Sequence, residues 1–421
     1  MLKLRPATVV ETYSSAADSA ADRRGHPAGE QQLMVELSGE RSGEDRRRAV
    51  ADVALVGRAQ VGDEVIVNVQ ALDLGLGSGG FDVVHVNLTR GLQGEGNQSH
   101  GHPNVMKLNY TSLQHTVAPV EEEHLHLPVE GPVGVLALHG QLAAVAWAFA
   151  QRAPGLRLGY VQTEGGALPG GHSATVRMLR ERELLAGHLT AGSAFGGEGE
   201  AITTAGALHH GLRSLGWDAA VCGPGPGIVG SGSSLGHGGM VALDSAHVAL
   251  ALGCPTLVVA RLSSGDERSR HRGFSHHTLT VLDLLLEPVT VALPAGMRSP
   301  VGADLRAGLG AVFGAGKRSR QTKGQMALAI DVERPARIAR HDWRRASIDL
   351  PGYAATGLPT ETMGRGLIED PMFFASALAG GSALAELTGE SAVEEADSDT
   401  APGEYPGVEG ADVQGASVEG A

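Results

Sequence analysis

Residues 1 to about 128 read as short β-branched runs separated by polar breaks. EQQLMVEL at 30–37, AVADVALV at 49–56, DEVIVNVQAL at 63–72 and DVVHVNL at 82–88 are divided by clusters of Gly, Asp and Ser, the pattern of short antiparallel strands. VGDEVIVNV, entered by a turn at Gly62 and Asp63, is the clearest strand. RRGHPAGE and SGERSGEDRRR are polar interruptions of the loop type. The pattern predicts a small β-rich, barrel-like N-terminal domain over 1–128.

Beyond that point apolar runs alternate with helical patterns, the signature of βαβ units and a mostly parallel sheet. VGVLALHG is followed by the helical QLAAVAWAFAQRA, and LRLGYVQT by HSATVRMLRERELL. ITTAGALHHGLRSLG leads into WDAAVCG, MVALDSAHVALALG into PTLVVARLS, and HTLTVLDLLL into PVTVALP. Five strands with intervening helices predict a Rossmann-like α/β domain over 129–300. From 301 to 387 the chain reads as a Gly-rich extension with one docked helix, DPMFFASALAGGSALAEL. From Glu386 to Ala421 there are ten acidic residues and no Lys or Arg, so 388–421 is expected to be a disordered acidic tail.

A length of 421 residues exceeds what one core accommodates, in keeping with two or more folded units. The net charge of -14 disfavours a protein that binds nucleic acid through a broad positive surface. MLKLRPATVVETYSS lacks the apolar core of a secretory signal. The longest apolar run, 133–150, carries His139, Gly140 and Gln141 at its centre, so it is read as strand, turn and helix and not as a membrane span. Cys222 and Cys254 match no metal spacing and read as buried free thiols. A cytoplasmic protein is expected; a homo-oligomer is compatible with this composition, which does not identify a cofactor.

Four stretches carry a family resemblance: HGHPNVMKLNYTSLQ at 100–114, GPGPGIVGSGSSLGHGGM at 223–240, RSRHRGFSHHTLT at 268–280 and LPTETMGRGLIEDPMFF at 358–374. Together they resemble a bacterial family catalogued as domain of unknown function 3866. The resemblance implies kinship over most of the chain short of the acidic tail, and implies no activity or site residues. The chemistry must come from the residues themselves.

Gly225, Gly227 and Gly230 satisfy G-x-G-x-x-G, and with Gly232 they form a glycine-rich turn between a strand and a helix, where backbone amides can approach an anion. Pro226 removes a donor, the helix begins only near Gly238, and the next strand ends in Arg261 without an acidic residue to hold a ribose, so a standard dinucleotide site is not expected. The loop Asp266 to His277 follows that strand and should lie at the same strand-end edge. Arg268, Arg270 and Arg272, spaced by two, share a face if this loop is extended and would fork onto an anion. Ser275 is a helix cap. His271, His276, His277 and His237 are candidates for proton transfer, although adjacent histidines are expected to point apart. Lys107, one of four lysines, could reach over a cleft between the domains, near His100 and His102. Glu164 and His172 occupy a second glycine-rich loop.

These residues support three functions, the leading one being to bind a small anionic ligand, phosphorylated or nucleotide-like, at the strand-end edge, with transferase or hydrolase chemistry open. The second is a non-catalytic protein whose N-terminal β-domain engages a macromolecule. The third is a metal-dependent hydrolase using His271, His276, His277 and Asp266.

Overall fold

The computed structural model describes residues 2–13, 30–39, 46–75, 80–91, 105–166, 169–295 and 334–398. The first strands, β1 (Leu4–Tyr13), β2 (Glu30–Leu37), β3 (Arg46–Asp52), β4 (Glu64–Asn68) and β5 (Asp82–Asn87), close into a barrel in the order β1-β2-β3-β5-β4. Only β3 and β5 run parallel in it, a Greek-key arrangement. Its interior alternates as a pleated strand must: Leu33, Val35 and Leu37 face inward while Gln32 and Glu36 face solvent. A short hairpin follows, β6 (Val105–Lys107) with β7 (His115–Val117).

The larger unit is an eight-stranded sheet built from β8 (Val133–Val135), β9 (Leu158–Thr163), β10 (Gly187–Thr190), β11 (Gly199–Glu200), β12 (Ala219–Pro224), β13 (Thr256–Val258), β16 (Thr290–Pro294) and β17 (Asp342–Ala346). A minor pair, β14 (Leu262–Ser263) with β15 (Gly273–Phe274), stands apart from it. The order is β11-β10-β9-β12-β8-β13-β16-β17 and every pairing is parallel. Both faces are covered, as a parallel sheet requires. Val133, Val135, Cys222 and Val258 pack under helices Thr204–His209, Val241–Ala251 and His276–Leu284. Leu136, Val221, Leu257 and Val259 pack under helices Leu142–Arg152, Ala174–Glu181 and Pro371–Ser398.

All five expected strands are present, and three more join them. β10 and β11 are short, and β17, DWRRA, is a charged edge strand. Strand β17 and helix Pro371–Ser398 bring residues beyond 300 into the α/β layer. That helix lies close enough to Leu142–Arg152 that a Cβ on Gly381 would sit 2.2 Å from the Val145 carbonyl oxygen, so only glycine fits there. The helix continues through Ser398, into the segment expected to be disordered; 399–421, like 296–333, lie outside the described residues.

The strand order reverses direction within the sheet. From β9 the chain moves outward to β10 and β11, whereas from β12 it moves the other way to β13. The connections leaving neighbouring strands β9 and β12 therefore run in opposite directions, the topological position at which open α/β sheets take their ligands.

Candidate functional site at the carboxyl rim of the sheet

The loops after β9 and β12 meet backbone to backbone at this switch point. A Cβ on Gly238 would lie 1.7 Å from the Gly165 carbonyl oxygen, and one on Gly166 would lie 2.4 Å from that of Gly225. We therefore expect Gly238→Ala to force the two loops apart, with a stability loss of about 1–3 kcal/mol from overpacking; an unchanged urea midpoint would contradict this contact.

Within the glycine stretch the chain doubles back. Gly230 bridges to His237, the Gly238 amide donates to the Val229 carbonyl at 2.8 Å, and Ser231 N donates to Gly236 O at 2.6 Å. The helix opens with a 3₁₀ turn at Gly238–Met240, capped by His237, whose Nδ1 accepts the Gly239 amide at 3.0 Å. Gly230 and Gly232 thus sit in a hairpin-like excursion ahead of the helix, Gly225 and Gly227 lie on the link from β12 to it, and the amide at the helix start goes to His237.

The loop after β13 closes on the same place. His237 from the glycine stretch stacks on His277 with ring centroids 3.8 Å apart. His276 lies 4.0 Å from His277, and His271 lies 5.0 and 5.1 Å from His276 and His277. The expectation that adjacent histidines diverge is corrected here: at the first turn of a helix capped by the Ser275 hydroxyl, both rings fold toward His271. Ser275 Oγ also pairs with His271 Nδ1 at 2.9 Å.

The arginines are arranged differently from expectation. The segment is not extended, because Ser269–His271 forms a 3₁₀ turn, so Arg268, Arg270 and Arg272 do not share a face. Arg268 forks onto Asp266, with Nε to Oδ1 at 2.9 Å and Nη2 to Oδ2 at 2.8 Å. The same carboxylate takes Arg261 Nη2 at 3.4 Å and Arg365 Nη2 at 3.3 Å. Arg365 also reaches Asp370, which accepts from Ser263 Oγ at 2.6 Å and from the Ser264 amide at 2.8 Å. Arg365 arrives on a tight hairpin turning at Met363 and Gly364, both at positive φ. Arg272 is exposed and Arg270 half-buried.

These contacts set the electrostatics. Burial alone would push the Asp266 and Asp370 carboxyls up; hydrogen bonds, from Arg268 to Asp266 and from Ser263 and its neighbours to Asp370, outweigh it and hold both low. Arg261 is 2% exposed, and burial pulls it down to about 10, which leaves it charged near neutrality. Arg261, Arg268 and Arg365 supply three positive charges against two from Asp266 and Asp370, a net of +1. Burial, and then the charges of Arg261 and Arg268, lower His237 to about 4 and His271 to about 3. Burial and the other histidines lower His277 to about 2. These three imidazoles are neutral lone-pair donors near pH 7, poorly matched to proton transfer there.

Other candidates lie elsewhere. Lys107 is buried and spends its ammonium on the carbonyls of Ala194 and Thr190 and on Glu200, at 2.7, 3.4 and 2.7 Å, tying β6 to the ends of β10 and β11. His172 pairs with Asp52 of the barrel at 3.2 Å, and Glu164 accepts from Ser193 Oγ. His100 and His102 lie outside the described residues. Sequence reasoning missed Arg365 and Asp370, although both fall within LPTETMGRGLIEDPMFF, and it gave Arg261 no binding role.

Among the described residues no helix is long and apolar enough to cross a membrane. No curated protein and no solved structure matches the chain. A family model does, from Arg48 in the barrel to Gly381 in the last helix, and so takes in every residue of the rim described above; the chain belongs to the family described as protein of unknown function (DUF3866), matched over residues 48–381.

Proposed function

We propose that this protein binds a small anionic ligand, phosphorylated or nucleotide-like, at the carboxyl rim of its parallel sheet. One observation carries the reading: Arg261 Nε and Arg270 Nε are buried with no hydrogen-bond acceptor among the described residues. A buried donor left unpaired costs about 1–3 kcal/mol, more when charged, and an anionic oxygen removes that cost. The net positive charge around Asp266 works in the same direction. The switch point between β9 and β12 lies on the same carboxyl rim, where other open α/β sheets bind ligands. A cytoplasmic setting belongs to this proposal, supported by two buried free thiols, Cys222 and Cys254.

Thermal unfolding in the presence of inorganic phosphate and of nucleoside phosphates tests it. A ligand at a hundred times its Kd should add about 2.7 kcal/mol of stability. Arg270→Ala should abolish that gain while leaving the ligand-free protein no less stable than the wild type, since it removes an unpaired buried donor and a half-buried loop arginine adds little else to folding. Equal stabilisation of both proteins by every anion would refute the assignment.

A further inference from the structure

We propose that His271, His276 and His277 form a three-imidazole site for a divalent transition metal of the zinc class, with its remaining coordination position open. One ring nitrogen from each of the three lies within 4.8 Å of those of the other two. Around a tetrahedral ion with a Zn–N distance of about 2.0 Å, ligand nitrogens stand about 3.3 Å apart, so modest inward rotation of the rings completes the set. His277 is 3% exposed, and neither of its ring nitrogens has a hydrogen-bond partner among the described residues, an arrangement that a metal on one nitrogen relieves. Ser275 Oγ holds His271 Nδ1; in the tautomer that donates from Nδ1, this leaves Nε2 free and orients the ring, the usual support for a ligating histidine.

The donor set selects the ion. Three imidazoles with no carboxylate suit zinc, cobalt, nickel or copper, and not magnesium or calcium. Asp266 is excluded as a ligand because Arg261, Arg268 and Arg365 occupy it. His237 is excluded as well: its Nδ1 accepts the Gly239 amide, so its Nε2 carries the proton. Arg261 and Arg268 oppose any bare cation here, so the open position favours an exogenous anion that neutralises the ion.

The inference extends the anion reading without depending on it, because metal uptake is measured without added phosphate. Untagged full-length protein, stripped by chelator, is titrated with cobalt(II) and its visible d–d absorption recorded. We expect one cobalt per chain with a tetrahedral-type spectrum, displaced by zinc. Loss of a group that only hydrogen-bonds a ligand typically weakens metal binding by about 10–100-fold, so His271→Gln and His277→Gln should each weaken it by at least about 100-fold, while His124→Gln, at an exposed histidine, leaves it unchanged. X-ray absorption on zinc-loaded wild-type protein needs no variant to fold and should count three imidazole nitrogens. Absence of a cobalt signal, retention of it in His271→Gln and His277→Gln, or fewer than three imidazoles in the zinc shell would each overturn the proposal.

Discussion

Replacing Asp266 by Ala is expected to lower the unfolding free energy by about 3–5 kcal/mol, the range for breaking a buried ionic network from one side. The carboxylate is 1% exposed and carries contacts from Arg261, Arg268 and Arg365. Without it, Arg261 keeps its charge inside the protein with only Met363 Sδ against its Nη2. Asp370 still holds Arg365, through Nε at 3.2 Å, so the hairpin at Met363 stays anchored at one point. Arg344 with Glu390 provides the contrast: Glu390 is half-exposed at the surface, and Glu390→Ala should cost no more than about 1 kcal/mol. Urea unfolding of both variants reads the difference directly. Comparable losses would mean that the Asp266 network does not hold the rim together.

Acid should destabilise the protein well before its carboxylates titrate. Burial lowers His139 to about 4 from an ordinary 6.5, and lowers His188 to about 3 with help from the charges of His139 and Arg180. A histidine depressed in the folded state is protonated preferentially in the unfolded chain below 6.5, so its contribution to stability is present above that pH and is lost as the pH falls. Between about pH 7 and about pH 5 each of the two should cost about 2 kcal/mol. His188→Phe isolates one of them. The ring stacks on Tyr160 with centroids 5.3 Å apart, and its Nε2 has no partner, so phenylalanine keeps the packing and removes the titration. Stability measured by urea at the two pH values should fall about 2 kcal/mol less in the variant; an identical fall in both proteins would sink the assignment.

Much of the fold was legible because its strands are apolar runs with helices of matching period between them. Strands such as LGYVQT and AAVCGP sit where the pattern put them. β10, β11 and β17 were not legible. GHLT and a two-residue GE carry too few side chains to show a period, and DWRRA is polar because it lies on the sheet's edge. The meeting of the glycine-rich and histidine-bearing loops followed from topology: in a parallel sheet both leave the same edge, and His237 touches His277. The partners of the charges did not follow. Arg365 reaches Asp266 from 99 positions away, and the 3₁₀ turn at Ser269–His271 destroys the face that a spacing of two gives in an extended chain. Lys107 stood out by rarity, yet its hydrogen bonds are those of a structural cation.

The most direct test of an anion site at this rim is anomalous diffraction from crystals soaked in tungstate, a heavy analogue of small oxyanions. An anion site predicts one strong peak within hydrogen-bond reach of Arg261 and Arg270, weakened by added phosphate. A peak confined to the barrel, or none at this rim under conditions where phosphate stabilises the protein, would contradict it.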